Sequence, residues 1–115
     1  MKTITRIALA SIFMLMLMNF SQLKTQLVVT VRNELGNTEE GVKVQLYETE
    51  DDYKAEKNVA FEGYTDKKGI VKFKELKPTT YYLLARKDDK DNFGGGEQTG
   101  KLEESRINKV TVIIQ

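Results

Sequence analysis

The sequence predicts an all-β protein, a single antiparallel Greek-key-type β-sandwich of about seven strands, preceded by an N-terminal signal peptide. Three observations predict it. Apolar residues recur at every second position in short runs, as in strands with one buried face. Stretches rich in Gly, Asn and Asp separate these runs and favour turns. No stretch carries the 3.6-residue period of a long amphipathic helix.

The amino terminus stands apart from this pattern. "MKTITRIALASIFMLMLMNFSQ" places Lys2 and Arg6 before an apolar run from Ile7 to Met18, then polar Asn19, Ser21 and Gln22. A basic start, a short hydrophobic region and a small-residue exit make a secretory signal peptide. The run is about twelve residues, against the roughly twenty that span a bilayer as a helix. Residues 1–21 are therefore read as the signal and residues 22–115 as the sandwich. An uncleaved anchor or a buried helix is the alternative.

Leu27, Val29 and Val31 open the domain as an inward row, with Thr30 and Arg32 facing outward. "NELGNTEEG" follows as a turn, and Val42, Val44 and Leu46 form the next inward row. These two strands are an antiparallel pair or neighbours across two sheets. "ETEDDYKAEKN", residues 48–58, breaks the alternation. Thr49 with Asp52 three residues on resembles a capping box, so a short helix is expected here, with an acidic loop as the alternative.

Val59 and Phe61 then point one way, "TDKKG" turns at Gly69, and Val71 and Phe73 return, which predicts a hairpin. Leu76 closes its end and Pro78 stops the strand. Tyr81, Leu83 and Ala85 alternate with Tyr82, Leu84 and Arg86, so this strand is apolar on both faces and central. "KDDKDNFGGGEQTG", residues 87–100, reads as a long mobile loop, with a short strand near Lys101–Glu103. Val110, Val112 and Ile114 form the last inward row.

Composition removes whole classes of chemistry. The 115 residues include 18 basic and 17 acidic side chains and no histidine, cysteine or tryptophan. Such a balance provides no basic field for nucleic acid. Histidine acid–base catalysis, Ser-His-Asp and Cys-His triads and ordinary zinc sites all need residues this chain lacks. No disulfide can form, so stability must come from the core. The expectation is no enzyme, no cofactor and no metal.

The strands and turns from Leu27 to Ala85 resemble the prealbumin-like, or carboxypeptidase-regulatory-like, β-sandwich domains of exported bacterial proteins, which include collagen-adhesin B-type domains. The resemblance rests on a "Gly-x-x-Val-x-Leu" strand, here Gly41, Val44 and Leu46. It continues in "Thr-Asp-x-x-Gly-x-Val-x-Phe-x-x-Leu-x-Pro", matched by Thr65, Asp66, Gly69, Val71, Phe73, Leu76 and Pro78, and in the Tyr81–Leu83 strand. It implies a non-catalytic spacer, stabilising appendage or binding module, by analogy of fold. Purine-catabolic enzymes of this fold depend on histidines that are absent here. The Lys–Asn cross-link of adhesin domains has Lys24 and Asn108 as possible partners, without an acidic residue on the central strand to catalyse it.

Other site patterns fail on their residues. "GGEQTGKL" nearly spells a phosphate-binding loop, but Leu102 stands where a hydroxyl should meet magnesium. Asp89 and Asp91 have calcium-loop spacing, but Phe93 and Gly100 replace oxygen ligands. Glu103 and Glu104 are adjacent and should point apart on a strand, so they make no glycosidase pair. Tyr47, Tyr64 and Tyr82 lie on outward faces by parity, and Phe93 is a lone aromatic in a glycine-rich loop. Phe93, with Tyr47 and Tyr64, is the candidate binding surface for a protein or glycan at the cell envelope, in the periplasm or on the cell surface. A structural accessory domain with no specific ligand is the competing reading, in which Phe93 tucks over the sandwich edge.

Overall fold

The alternation at the start of the domain is strand β1 (Gln26–Asn33), in which Leu27, Val29 and Val31 have no exposed surface. The computed structural model describes residues 23–115; the signal peptide expected over residues 1–21 lies outside them. Strands β2 (Lys43–Tyr47), β3 (Phe61–Tyr64), β4 (Ile70–Phe73), β5 (Thr80–Lys87), β6 (Lys90–Asp91), β7 (Gln98–Lys101) and β8 (Ile107–Ile114) complete the set, with helix α1 (Glu50–Ala55) between β2 and β3.

The strands form two sheets packed as a sandwich. One has the order β4-β1-β8; the other runs β3-β2-β5-β6, with β7 also pairing β5. Neighbours distant in sequence, such as β2 beside β5 and β1 beside β8, give the Greek-key-type winding. The inward rows meet in one core that includes Leu27, Val44, Leu46, Phe73, Tyr81, Leu83 and Ile114, with Phe61 and Val110 partly buried against it.

Several local expectations need correction. β1 and β2 lie in different sheets, the second of the two arrangements open from the sequence. "TDKKG" closes no hairpin, because β3 pairs with β2 whereas β4 pairs with β1. The turn instead carries the chain from one sheet to the other. Its residues hold that crossing. Asp66 Oδ1 accepts the Lys68 and Ile70 N–H groups, and buried Thr65 donates to Glu39 O at 2.6 Å while accepting from Val42 N at 2.9 Å. Gly69 sits at φ +76°, and a Cβ there would press on Thr38 and Glu39.

One ladder is parallel. β1 and β8 run side by side from Gln26↔Ile107 to Asn33↔Ile114, while the remaining strand pairs are antiparallel. Residues 87–100 are no plain loop. They hold β6 and the start of β7, and Asn92 among them is wholly buried. The short strand expected near Lys101–Glu103 lies earlier, at Gln98–Lys101, and Glu103 and Glu104 fall in the connection to β8. Val59, expected inward, precedes β3 and is 39% exposed.

Candidate recognition surface

The acidic stretch after β2 folds as the expected short helix. Thr49, in extended conformation, accepts the Asp52 N–H on its Oγ1 at 3.1 Å, and Glu50, Asp51 and Asp52 occupy the first turn. Tyr53 is the helix's buried residue, and it sets α1 against the outer face of the five-stranded sheet.

That packing builds a second, smaller apolar cluster of Tyr47, Tyr53 and Leu84, with Tyr82 partly buried beside it. Tyr47 does point away from the sandwich core, as its parity requires, yet it has no exposed surface. The helix covers it, so Tyr47 is no exposed contact residue. Leu84 is buried in the same way, which explains why β5 is apolar on both faces.

Tyr53 is the hub of the cluster. Its ring meets Tyr47 edge-on at 5.9 Å and stacks on Tyr82 at 6.1 Å. Its hydroxyl donates to Glu97 Oε1 at 3.0 Å, while that of Tyr47 donates to Gln45 Oε1 at 2.9 Å. Burial, and then the Glu97 hydrogen bond, pushes the Tyr53 phenol well above the usual tyrosine range. Burial likewise raises that of Tyr47. Both phenols are therefore neutral and fixed at physiological pH.

Phe93 stands at the rim of this cluster. Its ring lies 6.3 Å from that of Tyr53 and half of its surface is exposed. The neighbours of Phe93 fix its position. Its N–H donates to Asp91 Oδ1, and the Asn92 side chain is anchored to β5 and to Gly96. Tyr64 is elsewhere. It faces Lys43 at the far end of β2, whereas Tyr47 pairs with Tyr82, so the fold separates it from Phe93 and Tyr47. Tyr64 is 61% exposed and has no aromatic neighbour among the described residues.

Sequence reasoning misses Tyr53, Glu97 and Asn92. Tyr53 leaves one usable signal, being the only large apolar side chain in a charged capped stretch. Nothing local distinguishes Asn92 or Glu97 from other polar loop residues.

The other patterns resolve into structure. Lys24 Nζ pairs with Glu75 at 2.7 Å on the surface, and Asn108 Nδ2 donates to the Gln26, Glu103 and Arg106 carbonyls. These two side chains thus have separate partners. "GGEQTGKL" runs into β7, which pairs with β5. Among the described residues, no group of three or more acidic side chains is gathered closely enough to hold a metal ion. An open cleft of about 520 Å³ lies between Pro78 and Arg106, with Glu103 and Arg106 paired along it.

No model of a known protein family matches the sequence, and no curated protein is detectably similar to it. Among solved structures, the fold is similar to the group B streptococcus pilus 2b backbone protein, with TM-score 0.52 and 20% identity. That match covers 78% of this chain and 40% of the other. It is also similar to the Bacillus anthracis TIE protein, with TM-score 0.52 and 18% identity, over 81% of this chain and 16% of that one. The chain thus spans well under half the length of either protein. At such identities the likeness is one of fold, and the chain is a β-sandwich domain of the kind found within these two larger bacterial proteins.

Proposed function

We propose that this chain is an exported, non-catalytic β-sandwich module of the bacterial cell envelope that binds a protein or glycan at the Phe93 rim. The observation that carries the reading is the placement of Phe93. A half-exposed ring lies beside buried Tyr53, next in the chain to Asn92, whose side chain is fully bonded. A rigid aromatic that is half wet gains apolar burial when a partner covers it, at little cost in conformational entropy.

The remaining chemistry favours a module over an enzyme. Histidine and cysteine are absent, Tyr47 and Tyr53 have raised pKa values, and Thr65, Asp66 and Asn92 are engaged with backbone. Export is supported by the basic, apolar and polar succession of residues 1–22 and by the fold shared with a pilus backbone protein. Mass spectrometry of the protein recovered outside the cytoplasm should show a new amino terminus between Asn19 and Thr25. Full-length protein retained in the cytoplasm would refute export.

The second reading, a structural accessory domain, draws on the same ring, since Phe93 is already half covered beside Tyr53. Phe93→Ser separates the two. Affinity capture from envelope extracts, run side by side with both proteins, should lose a specific partner while the melting temperature is unchanged. A clear fall in melting temperature with capture intact would assign Phe93 to edge packing.

A further inference from the structure

The two sheets differ in what covers them. Helix α1 lies over the outer face of the five-stranded sheet, whereas no element covers that of the β4-β1-β8 sheet among the described residues. These three strands contain Arg32, Lys72 and Lys109 and not one Asp or Glu. The chain as a whole is nearly balanced in charge, so this is a local segregation of positive charge. All three basic residues are exposed, and none is in an ion pair among the described residues.

Lys72 and Lys109 are both in register with Val28, one on each side of it. Opposite charges on such neighbouring strands are stabilising and like charges are not, so this row is left without its usual complement. Arg32 Nη1 donates to the Gly36 carbonyl, which holds the guanidinium without neutralising it. Asp66 feels the charge of Lys72, but its Oδ1 already accepts two backbone N–H groups. On the same face, Ile107 is 53% and Ile113 43% exposed. They lie at the two ends of β8, roughly 20 Å apart at about 3.3 Å per residue.

We propose that the outer face of the β4-β1-β8 sheet docks on an anionic lipid bilayer. Phosphate headgroups supply the charge that Arg32, Lys72 and Lys109 lack. The isoleucines decide between a bilayer and a soluble polyanion. A polyanion in water makes no use of two exposed apolar side chains, whereas a bilayer interface accepts them just beneath the headgroups while lysines reach outward along their aliphatic stems.

The test is co-sedimentation of the full chain with vesicles of phosphatidylcholine alone or mixed with phosphatidylglycerol. Binding should be stronger with phosphatidylglycerol than with phosphatidylcholine alone, and that excess should fall as salt rises from about 50 to about 500 mM, over which screening shortens to a few ångströms. Lys72→Gln with Lys109→Gln should weaken binding roughly 25-fold, at about fivefold for each lysine near a charged surface. Ile107→Ser with Ile113→Ser should weaken it too while keeping the salt dependence. All variants share one amino terminus, so any contribution of the apolar run at residues 7–18 cancels. Circular dichroism should show both pairs folded, and Lys72→Arg with Lys109→Arg should restore binding. Equal vesicle binding by wild type and variants would overturn the proposal. So would no binding, binding to heparin in solution but not to vesicles, or self-association through this face.

Discussion

The carboxamide oxygen of Asn92 accepts the backbone N–H of Ala85 at 2.9 Å, on the edge of β5 that faces β6 and β7. There β5 pairs with β6 at Arg86 and Lys87 and with β7 at Thr80 and Tyr82. Between these two ladders the side chain of Asn92 substitutes for a strand. Its Nδ2 donates to the Leu83 and Gly96 carbonyls, and Leu83 N–H donates to Glu97 O. Asn92→Ala would leave buried backbone groups unpaired, at about 1–3 kcal/mol each, so a loss of about 3 kcal/mol is expected by urea unfolding. A loss under about 0.5 kcal/mol would show that water replaces the side chain.

Phe73 is 5% exposed and meets Phe61 edge-on at 6.2 Å. Phe73→Ala should cost about 3–5 kcal/mol, the range for a buried aromatic. Phe61→Ala should cost less, because Phe61 is only partly buried against the core. A loss below roughly 1 kcal/mol for Phe73 would place its ring outside the core.

Gly95 lies against β8, where a Cβ would press on the carbonyl oxygen of Ile113. The Gly95 carbonyl in turn accepts the Ile113 N–H at 2.9 Å. Gly95→Ala should push the 91–96 segment off the β8 edge. Hydrogen exchange at the Ile113 amide is the readout, and faster exchange is expected. Unchanged protection there would mean that the segment shifts without losing the bond.

Three carboxylates have pKa values below their usual range. The Ile70 N–H does this for Asp66, the Asn33 side chain for Glu39, and the Lys24 ammonium for Glu75. A depressed folded-state pKa gives stability that is present above the unfolded value and lost as pH falls through the folded one. Stability should therefore decline as pH drops below about 4.5. Asp66 and Glu75 are exposed and Glu39 is half-buried, so added salt should flatten the part of the decline that comes from the exposed pair. Asp66→Asn keeps an acceptor for both N–H groups and removes the charge. Its melting temperature should depend less on pH than that of wild type between pH 5 and pH 3, and an unchanged slope would contradict this origin.

Burial on one side imposes a period of two, so the inward rows of β1, β2, β4, β5 and β8 are legible from Leu27, Val44, Val71, Leu83, Val112 and their neighbours. The partners of each row are not. Val71 pairs with Val29, far back in the chain, and nothing within "TDKKG" distinguishes a hairpin turn from a crossing between sheets. The candidate site divides in the same way. Phe93 stands out because no alternation accounts for it, whereas parity places Tyr47 outward without revealing that Tyr53 and its helix cover it. Asn92 leaves no local trace, since its role depends on a gap in a ladder that exists only once β5 is paired.

The parallel β1–β8 ladder also determines how the domain bears load. β1 leads away from the entry to the sandwich, and β8 runs alongside in the same direction. The chain therefore enters at the Gln26–Ile107 end and leaves at the Asn33–Ile114 end. Tension applied to the chain on either side pulls these neighbouring strands past each other lengthwise. All rungs of the ladder then resist together, whereas an antiparallel pair pulled from one end, such as Leu27 against Phe73, opens one rung at a time. A pull between Gln26 and Ile114 would load this ladder in shear along its whole length.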